Sequence, residues 1–180
     1  STLFPYTTLF RSKIGNMPKW TSVLEKERKN PGYVAQRQFP GQGMWKDIKA
    51  KLSRLSPLEQ AKAVNVLINR WPYRTDMDVW GLMDYWAAPT EFFRKSGDCE
   101  DFAIAKYFAL RDLGIPASKM RIVVLKDTLR NLDHAVLVFY SDGDAWILDN
   151  LSNAVLSHRR LSHYRPQFSV NEEYRWAHLK

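Results

Sequence analysis

The chain of 180 residues has a single cysteine, Cys99, so no disulfide can form within it. That leaves a free thiol for chemistry, for packing or for a bridge to another molecule. No apolar run approaches the roughly 18 residues of a membrane-spanning helix, which excludes insertion by that route. The start shows no n-region, h-region and cleavage site of a signal peptide. Internal repeats and low-complexity tracts are lacking, so solenoids and disordered linkers are excluded. Histidines are few; His158, His163 and His178 lie in one tail at spacings of five and fifteen. Those spacings fit no tight zinc motif and no cysteine accompanies them, so they read as surface histidines. Basic runs interleaved with aromatics are also missing. The net charge of +8 is scattered over Lys26, Arg28, Lys29, Lys46, Lys49, Lys51 and Arg54 and again over Arg159, Arg160 and Arg165. It reads as a solvated basic surface, with no nucleic-acid partner expected.

What is present suits one α+β domain, since 45% hydrophobic content over this length supplies an ordinary core. Thr2 to Ser12, "TLFPYTTLFRS", resembles a frame translation of a common high-throughput sequencing adapter oligonucleotide across all eleven residues. Ser1 to Ser12 is therefore set aside from the fold as an assembly scar, and the true start, with a signal peptide, is expected to be missing there. Residues 13–43 read as an irregular lead-in, ending in "PGYVAQRQFPGQG" (Pro31–Gly43). The domain proper is 44–180.

Trp45, Ile48 and Leu52 recur at a helical period between Met44 and Leu55. Ser56 as N-cap, Pro57 at the first position and Glu59 three residues after the cap open a second helix running to about Arg70. Trp71 to Phe93 is rich in tryptophan and aspartate, with "AAPTEFF" suggesting a turn and a short helical piece; Trp80 and Trp86 read as core, with lining of a substrate cleft as the rival account. The helix after Asp98 places Phe102, Ala105, Ala109, Leu110 and Leu113 on a core face and stops at Gly114 and Pro116. The period then changes to two: Arg121–Leu125, His134–Tyr140 and Ala145–Leu148 read as strands of an antiparallel meander.

The turn "SDGD" fixes a register. With Asp142 and Gly143 as the central pair of a type I′ turn, Ser141 faces Asp144 and, further along, Val136 faces Asp149. Side chains alternate, so His134 shares a face with Val136 and Asp149, at a diagonal Cα separation of roughly 7–8 Å that imidazole and carboxylate can bridge. Asp133 points the other way. Cys99 sits at the start of its helix, where unpaired N–H groups and the dipole favour thiolate. Cys99, His134 and Asp149 thus have the roles of nucleophile, general base and acid, and orienting residue, and the Cys99 N–H is a candidate oxyanion donor. Taken singly, each has a plainer use, as a packed thiol, a strand-start histidine and a strand-ending aspartate. The combination is what points to acyl transfer.

Around the thiol stand Asp98, Glu100 and Asp101, which oppose thiolate formation. On the residues alone, two accounts stand. First-turn carboxylates are favoured by the helix dipole at roughly 0.3–1 kcal/mol each. Clustered carboxylate oxygens also suit a hard cation such as Ca²⁺.

"GDCEDFAIAKYFALRDLGIP", "DHAVLVFY" and "WILDN", with upstream "DVWGLMDYWAAPTEFF", resemble the bacterial transglutaminase-like cysteine proteinases, in particular the periplasmic adhesin-cleaving proteases of the LapG type. The resemblance runs from Trp71 to Asn150. It implies a papain-like or transglutaminase-like fold and a cysteine peptidase with Cys99, His134 and Asp149 as its triad. It also implies dependence on Ca²⁺, with Asp98 and Glu100 as ligands and Asp101 as a third. The implied setting is the periplasm, where such a protease cuts a large surface adhesin near its amino terminus, releases it, promotes biofilm dispersal and is sequestered by an inner-membrane receptor. Two other readings stay open: a transglutaminase-type acyl transferase using the same triad with an amine acceptor, and a non-catalytic basic binding module in which Cys99 is merely packed.

Overall fold

The computed structural model describes residues 3–6, 10–15 and 17–178. In chain order it contains β1 (Phe10–Lys13), α1 (Pro18–Lys29), β2 (Gln38–Phe39), β3 (Gly43–Met44), α2 (Trp45–Leu52), α3 (Pro57–Ile68), α4 (Asp76–Trp80), α5 (Pro89–Lys95) and α6 (Cys99–Asp112). The second half is β4 (Met120–Asp127), β5 (Leu132–Ser141), β6 (Asp144–Asp149), β7 (Ser152–Ser157), β8 (Tyr164–Val170) and β9 (Tyr174–Ala177). An antiparallel seven-stranded sheet runs in the order β1-β9-β8-β4-β5-β6-β7, with β2 and β3 forming a separate small pair. This is the α+β architecture read from the sequence.

The helices start where the sequence punctuates them. Ser56 Oγ accepts from the Glu59 N–H at 3.3 Å to open α3, and Gly114 takes φ +99° after α6, a conformation that disfavours side chains. The apolar face of α6 packs on β4, β5 and β6, with α3 and α5 against its flanks. Alternation along the strands divides the interior in two. Ile122, Leu137, Phe139 and Leu148 join the large cluster under α6, while Val123, Val136, Val138 and Ile147 join a smaller one on the opposite face. Side chains of period two separate them.

Three differences from the sequence reading have physical causes. The lead-in of 13–43 is not irregular throughout, since it carries α1. That helix buries only Trp20 and Val23, too sparse a stripe to show a helical period; Trp20 docks in the core and its indole N–H donates to the Asn171 carbonyl at 2.9 Å. The meander is part of a larger sheet, because β7, β8 and β9 are short, half-exposed strands with little alternation. His158 and His178 are buried, not on the surface: His158 packs against Phe4 and Tyr6, and His178 Nε2 meets Ser169 Oγ at 2.8 Å.

Within the stretch set aside at the start, Phe4 is buried in the smaller cluster and Phe10 to Ser12 form most of an exposed edge strand; Ser1, Thr2 and 7–9 lie outside the described residues. Among the described residues no helix is long and apolar enough to cross a membrane.

Candidate active site

Asp142 and Gly143 both take positive φ, 53° and 70°, and Ser141 pairs with Asp144, so the β5–β6 hairpin has the register its turn dictates. The consequence at the far end of the hairpin is a hydrogen-bonded pair. His134 Nε2 lies 2.9 Å from Asp149 Oδ1, and both residues are 4% exposed. The other Asp149 oxygen, Oδ2, accepts from the Tyr164 hydroxyl at 2.6 Å, and Oδ1 also accepts from the Leu151 N–H at 3.0 Å. Burial alone would raise the Asp149 carboxyl. Its bonds to His134, Tyr164 and Leu151 outweigh that and hold it below the usual carboxylate range. The Tyr164 hydroxyl is pushed well up, first by burial and then by the carboxylate it serves. Sequence reasoning missed Tyr164 because its strand was not recognised. Asn69 was missed as well; its amide donates to the Asp149 carbonyl at 3.0 Å.

Cys99 is the first residue of α6 and is half-buried. Its thiol donates to Glu100 Oε2 at 3.3 Å. Burial raises the thiol pKa strongly, and the charges of Glu100 and Asp98 add to it; a bond from the Ala135 N–H, next in sequence to His134, acts the other way. Cys99 and His134 line one open cleft of about 430 Å³, together with Tyr73, Met83, Trp86 and Phe168. Trp86 is thus both core and cleft. Trp80 does not line the cleft; its ring lies against Tyr85 with the Lys95 ammonium over it.

The acids beside the thiol form a tight group, and the structure adds Asp76 to it. One oxygen from each of Asp76, Asp98, Glu100 and Asp101 lies within 4.8 Å of the others. Burial first, and then repulsion from neighbouring carboxylates, raises three of them: Asp76 to about 6, Glu100 to about 11, and Asp101 well above the usual range. Asp101 is engaged structurally, since Oδ1 accepts from the Ala87 N–H at 2.8 Å and Oδ2 from the Asp98 N–H at 3.1 Å. Asp76 Oδ1 and Asp98 Oδ1 are buried with no hydrogen-bond donor among the described residues. Buried carboxylate oxygens without donors, gathered with other oxygens and no nitrogen, are the donor set of a hard cation. Asp76 had one sequence signal, the Thr75 N-cap that opens α4 in front of it.

No curated protein matches the chain. The family model described as bacterial transglutaminase-like cysteine proteinase matches residues 37–180. Among solved structures the chain is similar to Legionella pneumophila LapG, with 35% identity over 74% of this chain and 75% of that one and a TM-score of 0.66. It is also similar to the calcium-bound form of Legionella pneumophila LapG, with 30% identity over 87% of this chain and 86% of that one and a TM-score of 0.69. With the thiol, the imidazole pair and the acidic group already in one place, these likenesses agree with the fold as well as the motifs: the chain belongs to the bacterial transglutaminase-like cysteine proteinases and is a cysteine peptidase.

Proposed function

We propose that the chain is a calcium-dependent endopeptidase in which Cys99 is the nucleophile, His134 the general base and acid, and Asp149 the residue that orients the imidazole. The observation that carries this is His134, bonded to the buried Asp149, lining the cleft that holds the helix-start thiol. Asp149 engages Nε2, which makes Nδ1 the nitrogen that takes the Cys99 proton. The thiolate attacks the substrate carbonyl carbon, and the imidazolium returns the proton to the amine as the C–N bond breaks. Water, deprotonated by His134, then opens the thioester and the thiol is restored. The Cys99 N–H, at the first position of α6, is the proposed oxyanion donor.

Asp76, Asp98 and Glu100 are proposed to hold the cation, with Asp101 behind them fixing the loop through its two backbone bonds. A bound Ca²⁺ supplies positive charge that offsets the carboxylates beside the thiol. Its likeness to a calcium-bound LapG supports that choice of ion. The proposed substrate is a large surface adhesin cut near its amino terminus in the periplasm, which releases it and disperses biofilm, with an inner-membrane receptor that sequesters the protease.

The test is digestion of an adhesin amino-terminal fragment by the purified chain, in calcium and in EGTA, beside Cys99→Ala. Cleavage lost in both EGTA and Cys99→Ala is the expected result. Undiminished cleavage in EGTA removes calcium from the reading, and an isopeptide mass shift with added amine in place of cleavage replaces hydrolysis by acyl transfer.

A further inference from the structure

Tyr73 lies in a short extended segment beside the loop that leads into α6. It pairs in parallel with Gly97, two residues before Cys99, and the Arg74 N–H donates to the Gly97 carbonyl at 2.8 Å. A second tie joins the two segments, since Ser96 Oγ donates to the Pro72 carbonyl. Ser96 is buried and takes φ +63° with ψ −166°, a conformation that side chains disfavour. Such strain persists where surrounding bonds over-determine it, so the segment at Tyr73 is held firmly against the loop that carries the thiol.

The other edge of that segment is open. Across a trans peptide the C=O and N–H point in opposite directions, so an Arg74 N–H aimed at Gly97 turns the Tyr73 carbonyl away from it. Backbone N–H groups alternate in direction along an extended chain, which turns the Tyr73 N–H the same way. Neither group has a hydrogen-bond partner among the described residues. Thr75 then caps α4 and ends the extended segment, so the open edge is a single residue long. Tyr73 is 56% exposed and lines the same cleft as Cys99 and His134. Met83, Trp86 and Phe168 give that cleft apolar walls.

We infer that Tyr73 binds substrate through its main chain: one residue of the peptide being cut lies antiparallel to it and exchanges both N–H···O bonds with it, adding a strand beside the thiol. The occupant is a peptide because a cysteine peptidase must bring a peptide carbonyl to its thiol, and Gly97 ties this edge to the residue two before Cys99. The antiparallel sense follows from the length of the edge. One residue on each side completes an antiparallel bonded pair, whereas a parallel neighbour needs two substrate residues around Tyr73. The inference rests on Cys99 as the nucleophile of an endopeptidase. The substrate is then extended at the paired residue and carries an N–H there, which excludes proline at that position.

The test uses a synthetic peptide spanning the cut that mass spectrometry maps in the adhesin fragment, with calcium present throughout. Amide hydrogen exchange is followed by NMR in the full chain of Cys99→Ala with and without the peptide. The parent's kcat and KM are measured on the peptide and on a series in which one backbone N–H at a time is replaced by N-methyl. With peptide at tenfold its Kd, the Tyr73 amide should exchange about tenfold more slowly, while Arg74, already bonded to Gly97, should change little. Apart from the scissile amide, one residue should lose roughly tenfold in kcat/KM on N-methylation, mostly through KM, and proline there should do the same. Tyr73→Ala keeps the main chain and should leave the same residue sensitive. Unchanged Tyr73 exchange under saturating peptide overturns the inference, as does a series in which only the scissile amide matters. If the parent cuts the fragment and either of those results appears, only the pairing falls. If the parent cuts nothing, or Cys99→Ala still cuts, the endopeptidase reading falls and the pairing with it.

Discussion

His134 and Asp149 meet at 2.9 Å across fifteen residues because one two-residue turn sets which strand positions face each other. A shift of a single residue would carry Asp149 to the opposite face of the sheet. The pair lies on the face of Val136, Val138 and Ile147, away from the main body of α6, and Cys99 reaches it where its thiol meets the Ala135 N–H.

Asp149→Ala removes the acceptor from a buried imidazole and should lower turnover by roughly 10²–10⁴-fold. Tyr164→Phe removes only the 2.6 Å bond to Oδ2. That is worth about 1–2 kcal/mol, so a loss of roughly five- to thirtyfold is expected from kcat/KM measured side by side. A Tyr164→Phe chain as inactive as Asp149→Ala would mean that the hydroxyl itself enters the chemistry.

Calcium should stabilise the chain through its acidic group, by about 2.7 kcal/mol at a hundredfold excess over Kd. The sign with pH follows from the raised carboxyls. Asp76 moves from an ordinary 3.8 to about 6 and Glu100 from 4.5 to about 11, so without a cation the folded chain binds more protons than the unfolded one above those ordinary values. Stability then falls as pH rises, through about 6 for Asp76 and toward about 11 for Glu100. Thermal unfolding in EGTA should show a lower Tm at pH 8 than at pH 5, and calcium should raise Tm more at pH 8. Asp98→Asn and Asp76→Asn should shrink that calcium increment; an increment unchanged in both variants would place the ion elsewhere.

Much of the site was legible in sequence because its parts obey local rules. The helix start fixes Cys99, the Asp142–Gly143 turn fixes the His134–Asp149 relation, and the acids adjoin the thiol in the chain. Tyr164, Asn69 and Asp76 were not legible as parts of it. Each reaches the site from a distant element, and the placement of β8, α3 and α4 depends on packing that no short pattern encodes. α1 escaped for a related reason, since one docked tryptophan does more for that helix than its periodicity.

Gly97 has no room for a side chain. A Cβ there would lie 2.3 Å from Asp101 Oδ2 and 2.6 Å from its Cβ, so the first turn of α6 would have to move. Asp101 holds the Ala87 and Asp98 N–H groups. Displacing it leaves buried donors unsatisfied beside the Cys99 thiol. Gly97→Ala should cost about 2–3 kcal/mol and slow Cys99 alkylation, both read on the purified variant by denaturant unfolding and iodoacetamide labelling. An unchanged midpoint would show that the Asp101 carboxylate gives way freely.

Glu27 gives a pH dependence away from the acidic group beside Cys99. Both of its carboxylate oxygens accept from the Gly32 N–H at 3.1 Å, yet burial, then the charges of Asp112 and Glu172, raise it from 4.5 to about 7 against the pull of that bond and of Arg37. Above pH 4.5 the folded chain therefore holds a proton that the unfolded chain has released, and stability declines from there until pH passes about 7. Glu27→Gln keeps an acceptor for Gly32 and removes the titration. With the group partly exposed and screened, the gain at pH 8 should be about 1 kcal/mol and should vanish near pH 4. Urea unfolding of parent and variant at both pH values, in calcium throughout, measures it. Equal gains at pH 4 and pH 8 would assign the effect to packing of the amide and not to the carboxyl's charge.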